Sequence, residues 1–509
     1  MEAKPQTRRD FLKAAGCLAA AWALSPSKSV MAAAARKQKY PNIVFILADD
    51  MGYGDIQALN PQSKIPTPHL NKLASEGVAF TDAHSGSAVC TPTRYGVVTG
   101  RYAWRTRLKR GVLNGYSPHL IDPDRLTVAD VLKQAGYHTA CIGKWHLGMD
   151  VPAQKVDGQY VIDHTARIKN GPNALGFDYF FGVTASLDMP PYIFVENDRF
   201  PKPVKAHYER TNFPNYSRAG LMAADFNHEQ ALDQLTQKAV DYIDARSKED
   251  KPFFLYFPLT APHKPCLPAE RFRGNTSLGD YGDFITQVDW VVGQVDMALK
   301  ANGLTGDTLL IYTSDNGSYM YRYAEDKPDH VEQSSVQGFH RKNHQANYIW
   351  RGTKADIWEA GHHVPYLVRW PGVTQAGTRC DETICLTDLT ATCAEIVGFS
   401  LPADAAEDSF SLVPLMQGKG WTTPRAPVIH HSISGMFSLR EGKWKMVFGN
   451  GSGGRQQPRG KPFEKPYFLF DLDKDPSETT NVIEAHSEMA QRLTEKLETI
   501  MDSGRSRPL

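Results

Sequence analysis

Four apolar runs, each closing on charged or polar residues, constrain this chain more than any other feature. "NIVFIL" leads into Asp49 and Asp50, "YHTACIG" into Lys144 and His146, "PFFLYFPLTA" towards His263, and "DTLLIYTS" into Asp315 and Asn316. An unbroken apolar run of strand length belongs to a strand covered on both faces. Between the runs lie segments of helical period. "TVADVLKQAG" has Thr127 as N-cap and Gly136 as stop, and "HEQALDQLTQKAVDYIDARS" and "YGDFITQVDWVVGQVDMALKANG" are amphipathic. This alternation predicts an α/β fold with a large, mostly parallel sheet flanked by helices. Ligands of such sheets bind beyond the carboxyl ends of the strands, where the polar residues would gather.

From about residue 425 the pattern changes to short strands between Gly- and Pro-rich turns: "APVIHH", "GMFSLREGKWKMVFG" and "PYFLFDLDKDP". In "AHSEMAQRLTEKLETIM", Met489, Leu493 and Leu497 share one stripe of a helix. A small C-terminal antiparallel sheet with a packed helix is expected. The division is a signal over 1–36, a catalytic domain over 37–420 and an α+β subdomain over 421–509. The signal reading rests on Arg8 and Arg9 before Phe11, Leu12 and Lys13, followed by an Ala-rich run and small residues near Ala32 to Ala35. It resembles a twin-arginine export signal, which implies the export machinery as partner and a periplasmic or secreted destination. Lipoprotein processing at Cys17 is the lesser alternative, because the usual leucine is missing from "AAGC". A formal net charge of +1 argues against nucleic acid as a partner. Of seven cysteines no pair has zinc-site spacing, and Cys380 and Cys385 either pair or stay separate buried thiols.

Asp49, Asp50, Asp315 and Asn316 offer only oxygen, which suits calcium or magnesium rather than zinc. Lys144, His146, His263 and Lys354 place cations around an anion, as a phosphate or sulfate ester requires. In "CTPTRYGVVTGR", Pro92 marks a helix start with Cys90 near its N-terminal end, where peptide N–H groups favour an anion. Arg94, one turn on, shares that face. His69, His84, His119 and the pairs His362–His363 and His430–His431 are read as structural.

With these pieces in place the chain resembles the formylglycine-dependent sulfatases, arylsulfatase A-like members of the alkaline phosphatase superfamily. The likeness runs from "PNIVFILADDMGYGD" through "CTPTRYGVVTGR", "GKWHLG", "APHKP" and "SDNG" to "RGTKADIWEAGHHVPYLVRWPG", with "YFLFDLDKDPSETTNV" in the C-terminal part. It implies an alkaline-phosphatase-like sheet and hydrolysis of sulfate esters. It further implies that a maturation enzyme oxidises Cys90 to formylglycine, whose hydrate attacks sulfur with one hydroxyl and expels sulfate with the other. By the same resemblance Asp49, Asp50, Asp315, Asn316 and modified Cys90 bind one calcium ion. Arg94 steadies the diol, Lys144 and Lys354 hold sulfate oxygens, His146 assists sulfate release and His263 serves the leaving oxygen. A hydroxyl residue also contacts sulfate in such enzymes, and Thr184 and Ser186 are both candidates here. The chain departs from the family at His362 and His363, where a basic or small residue is usual.

Export from a bacterium points to sulfated polysaccharide fragments or glycosaminoglycan oligosaccharides as substrate, with "RYAWRTRLKRG", "DMPPYIF" and "YMYRY" as candidate cleft segments. The alternatives are a phosphonate monoester hydrolase or phosphodiesterase with the same nucleophile, and a non-catalytic sugar-binding relative.

Overall fold

The computed structural model describes residues 40–508. The export signal over 1–36 and Cys17 lie outside the described residues. Its centre is a nine-stranded sheet ordered Thr378–Cys380, Val78–Phe80, Tyr366–Arg369, Thr308–Ser314, Asn42–Asp49, Phe253–Pro262, His138–Lys144, Tyr179–Val183 and Val195–Glu196. Asn42–Asp49 runs parallel to both neighbours, and His138–Lys144 and Tyr179–Val183 continue in the same direction. The flanks depart from the expected parallel pattern. Tyr366–Arg369 is antiparallel to both its neighbours, and Val195–Glu196 is antiparallel to Tyr179–Val183. The sheet is therefore mixed, as edges of such sheets often are, while the strands that deliver polar residues share one direction.

Both faces of the sheet are covered, which is why the central strands read as unbroken apolar runs. Phe45 and Leu47 point into one layer with Val97, Val98, Val131 and Leu132. Val44 and Ile46 point into the other, with Leu235 and Ile243 of helix His228–Arg246 and Ile285 and Val288 of helix Gly279–Ala301. Thr127 caps helix Val128–Gln134 through a reciprocal box with Asp130, and Gly136 follows at φ 93°.

The C-terminal strands Val428–His431, Phe437–Glu441, Trp444–Phe448 and Phe468–Asp471 form an antiparallel sheet in that order. Helix Ser487–Asp502 covers it with Ala490, Leu493, Leu497 and Ile500, while Met489 sits at the margin of this stripe. Tyr102 and Trp104 belong to the same core, so the aromatics of "RYAWRTRLKRG" serve packing rather than a sugar cleft. Cys380 and Cys385 are free thiols.

Where the two sheets meet, three of the histidines read as structural, His84, His362 and His430, form a connected group. The His362 and His430 rings stack at 3.7 Å, and His84 Nδ1 lies 3.1 Å from His362 Nδ1. Lys445 approaches His362 Nε2 at 3.1 Å and pairs with Glu478 at 2.7 Å and Glu359 at 3.1 Å. Next to them the His431 carbonyl accepts from Ser87 Oγ and Ala88 N, both at 3.0 Å.

Burial lowers the pKa of His84, holds His362 and His430 well below the usual range, and brings His431 down to about 4. These rings stay neutral in the fold but take up protons in the unfolded chain below about pH 6.5. Stability is then lost as pH falls from 6.5 towards 4, by up to about 1.4 kcal/mol per pH unit for each such ring. Buried carboxyls such as Asp315 and Glu478, both raised to about 7, change stability in the opposite sense, so the rings are isolated by comparison with a variant. The thermal unfolding midpoint of His431→Gln should fall less than that of the wild type from pH 6.5 to 5, and equal falls would contradict the assignment.

Candidate active site

The predicted strand ends converge. Strand Asn42–Asp49 ends in Asp49, with Asp50 beyond it at φ 70°, and strand His138–Lys144 delivers Lys144, with His146 at φ 57°. His263 follows Phe253–Pro262, and Asp315 and Asn316 follow Thr308–Ser314. Positive φ at two non-glycine residues costs energy, and both lie where the chain must aim a side chain into this cluster. Gly143 and Gly317 allow two close approaches: a Cβ there would come within 1.9 Å of the Pro258 carbonyl and 1.7 Å of the Ala360 carbonyl.

Cys90 is the first residue of helix Cys90–Thr99, so Pro92 is the third helical residue. Arg94 reaches across with Nη2 2.7 Å from Asp315 Oδ2 and 3.5 Å from Asp49 Oδ1, and Nη1 donates to the Lys144 carbonyl at 2.9 Å. Lys144 Nζ holds Asp49 Oδ2 at 2.7 Å. Lys354 Nζ donates to Asp50 at 2.5 and 2.7 Å and lies 4.0 Å from Cys90 Sγ. Asn316 Nδ2 donates to Asp50 Oδ1 at 2.6 Å, and the Asp50 amide to Asp315 Oδ1 at 3.1 Å. All ten residues singled out from the sequence for this site are buried.

Several buried polar atoms here accept or donate no hydrogen bond within the protein: Asp49 Oδ1, Asn316 Oδ1, His146 Nδ1, Thr184 Oγ1 and Ser186 Oγ. Such atoms are costly unless something else meets them. Asp49, Asp50 and Asp315 bring carboxylate oxygens within 4.8 Å of one another, and Asn316 adds an amide oxygen. This all-oxygen set fits a hard divalent cation. Thr184 and Ser186 are equally unpartnered, so both remain candidates for a sulfate contact.

The electrostatics follow from burial and from neighbours. Burial would raise Asp49, but Lys144, His263, Arg94 and Lys354 outweigh it and hold the carboxyl well below the usual range. Asp315 feels burial and then Asp49, and is pushed up to about 7. Burial raises the Cys90 thiol. His146 is held neutral by burial and Lys144, and because Nε2 donates to the Leu113 carbonyl at 2.8 Å, Nδ1 carries a free lone pair. Burial and Lys354 bring His263 down to about 4. Its Nδ1 donates to the Lys264 carbonyl at 2.5 Å, which leaves Nε2, 3.5 Å from Asp50 Oδ2, as the atom facing the cluster.

Two neighbours escaped the sequence reading. Asp188 is buried and stands 4.0 Å from His263 Nδ1, but one acidic residue in a loop carries no periodic or motif signal. Asp55 accepts from Tyr281 and pairs with His344, both at 2.8 Å, and Tyr281 meets Ser318 at 2.6 Å, bracing the loop after Asn316. "ADDMGYGD" contains Asp55, but nothing in its spacing distinguishes a brace from a surface turn.

Residues 41–399, which carry every one of these side chains, match the Sulfatase family. The chain belongs to that family and is a sulfuric ester hydrolase. It is 32% identical to an N-acetylgalactosamine-6-O-sulfatase of Bacteroides thetaiotaomicron, across 90% of this chain and 93% of that one. It is 29% identical to arylsulfatase A of Bos taurus, across 92% and 88%. A solved Bacteroides thetaiotaomicron structure, described in terms of the metabolism of multiple glycosaminoglycans, superposes with a TM-score of 0.78 at 31% identity. That match covers 91% of this chain and 99% of the other.

Removing Arg94 leaves the Asp315 carboxylate buried without its partner. Arg94→Met should lower the unfolding free energy by about 3–5 kcal/mol. Urea denaturation of the two proteins measures the difference, and a change under about 1 kcal/mol, the range of an exposed ion pair, would contradict the buried geometry.

Proposed function

We propose that this protein removes sulfate from sulfated carbohydrate with formylglycine made from Cys90 and with one bound calcium ion. The observation that carries the reading is the buried meeting of Cys90, three cations and an oxygen-only ligand set at one end of the sheet. The two Bacteroides thetaiotaomicron relatives support a carbohydrate substrate.

As a thiol Cys90 is poorly suited to attack, since burial raises its pKa and only the thiolate is a good nucleophile. The hydrated aldehyde offers two hydroxyls, one to bond sulfur and one to lose the proton that lets sulfate depart. Asp49, Asp50, Asp315 and Asn316 would hold calcium, with Cys90 completing the set. Bound there, calcium would supply positive charge to the anionic ester. The three carboxylates otherwise balance Arg94, Lys144 and Lys354 in formal charge, so a divalent ion leaves the site net positive and ready for an anionic ester.

Arg94 lies on the nucleophile's side of the cluster and steadies its hydroxyls. Lys144 and Lys354 are the ammonium donors available to sulfate oxygens. His146 accepts a proton at Nδ1 as sulfate leaves, because its Nε2–H is committed to Leu113. His263 serves the leaving oxygen through Nε2. Export, cleavage of the signal and maturation by a formylglycine-generating enzyme belong to the same proposal.

Mass spectrometry of the tryptic peptide Leu73–Arg94, from protein made with a maturation enzyme, should show an aldehyde or its hydrate at Cys90. An intact thiol in a host that matures other such motifs would overturn the nucleophile assignment. Cys90→Ala should lose roughly 10⁴-fold or more of the sulfate-release rate. His263→Ala should lose about 10²–10⁴-fold on sugar sulfates and much less on aryl sulfates, whose acidic leaving group needs little proton assistance. Equal losses on both would remove His263 from that role.

A further inference from the structure

Beside the buried cluster lies a cavity of about 560 Å³ that no part of the mechanism uses. Its size falls within the ~300–1,000 Å³ typical of small-ligand sites. Two of its walls are tied directly to the catalytic cluster. The Leu113 carbonyl holds His146, and the Leu113 amide donates to Oγ1 of Thr91, the residue after Cys90, at 3.2 Å. Arg218 donates to Asp188 Oδ2 at 2.5 Å, and the other Asp188 oxygen faces His263 at 4.0 Å. The cavity is therefore linked through Arg218 and Asp188 to His263, which serves the departing alcohol in the proposed mechanism.

Its chemistry is specific. A hairpin of strands Ala153–Val156 and Gln159–Ile162 forms one wall, and Lys155 pairs with Tyr160 across it, so both side chains leave the same face. The Tyr160 ring stacks on Tyr116 at 3.7 Å and 9°, and Lys155 Nζ lies 5.1 Å from the Tyr160 ring centre. His207 and Arg218 also line the space, and among the described residues no acidic side chain does. Asp188 balances Arg218, whereas the Lys155 ammonium sits beside an aromatic ring. A flat aromatic pair offers its negative ring face to the C–H bonds of a pyranose, and the unbalanced Lys155 ammonium calls for negative charge.

We propose that this cavity binds a second, anionic sugar unit of the substrate, stacked against Tyr116–Tyr160 and paired with Lys155, His207 and Arg218. The inference rests on the sulfatase reading and narrows the substrate from sulfated carbohydrate to an acidic oligosaccharide. A uronate carboxylate and a second sulfate group present the same negative charge to these side chains.

The test uses three disaccharides that share one sulfated sugar and differ in the neighbour: neutral, carboxylated or sulfated. The matured enzyme should favour the two anionic neighbours by kcat/KM, and their ranking identifies the natural anion. Lys155→Ala should reduce the anionic-to-neutral ratio about fivefold, the worth of one exposed ion pair. Tyr160→Ala should lower kcat/KM for every disaccharide relative to an aryl sulfate, and the anionic preference should fade as salt rises. Lys155 is exposed, so its variant is expected to fold.

A second readout needs no turnover: calorimetric titration with the unsulfated, uronate-containing disaccharide, which the wild type should bind more tightly than Lys155→Ala. Sulfate release with no anionic preference and no such binding overturns the subsite and leaves the sulfatase reading standing. Binding without sulfate release from any ester sinks the catalytic reading instead.

Discussion

Asp49, Asp50 and Asp315 lie out of reach of water, and three equally buried cations, Arg94, Lys144 and Lys354, hold them there. Isolated buried charges are so costly that the fold could not persist without this mutual balance. The balance in turn demands a particular architecture. Asp49 and Asp50 ride the end of one strand and Asp315 the end of its neighbour, so these strands have to run parallel and in register to bring the carboxylates within a few ångströms. Positive φ at Asp50 and His146 is the local cost of that convergence. The surrounding layers over-determine it, with the Asp55–Tyr281–Ser318 chain bracing one loop and Leu113 bracing another.

Much of this was legible in the residue order because the central strands are covered on both faces. Full coverage erases period-two alternation and leaves solid apolar runs, so "NIVFIL" and "DTLLIYTS" announced both the strands and the position of their polar ends. Helix Val128–Gln134 was equally visible, since its cap is a local bond between Thr127 and Asp130. What stayed hidden depends on contacts between distant segments. Tyr366–Arg369 has only four residues, and its antiparallel pairing comes from its neighbours rather than its composition. Tyr102 and Trp104 resembled a sugar platform until the C-terminal sheet was seen to close over them. The pairing of Tyr116 with Tyr160 is likewise a meeting of a loop with a distant hairpin strand, with no shared motif.

The C-terminal sheet does more than cover apolar surface. Ser87 and Ala88, just ahead of Cys90, are fastened to His431, and Ser85 N donates to the His362 carbonyl at 2.8 Å. The segment that leads into Cys90 is thus shared between the two sheets. The stacked imidazoles and the Glu359–Lys445–Glu478 group seal that seam, so the C-terminal sheet helps to fix where Cys90 sits.

Every residue of helix Cys90–Thr99 is buried, and Cys90 itself is only 3% exposed. An enzyme that has to grip the chain around this thiol finds nothing to hold once the fold has closed. Access is therefore a question of timing. His431, which fastens the segment, leaves the ribosome roughly 340 residues after Cys90. At about 5–20 residues per second that interval is roughly 20–70 s. Under the proposed maturation at Cys90, a chain that closes before the thiol is altered would be a well-folded protein with an inert centre, so the speed of folding, and not only its outcome, would set how much of the protein can work.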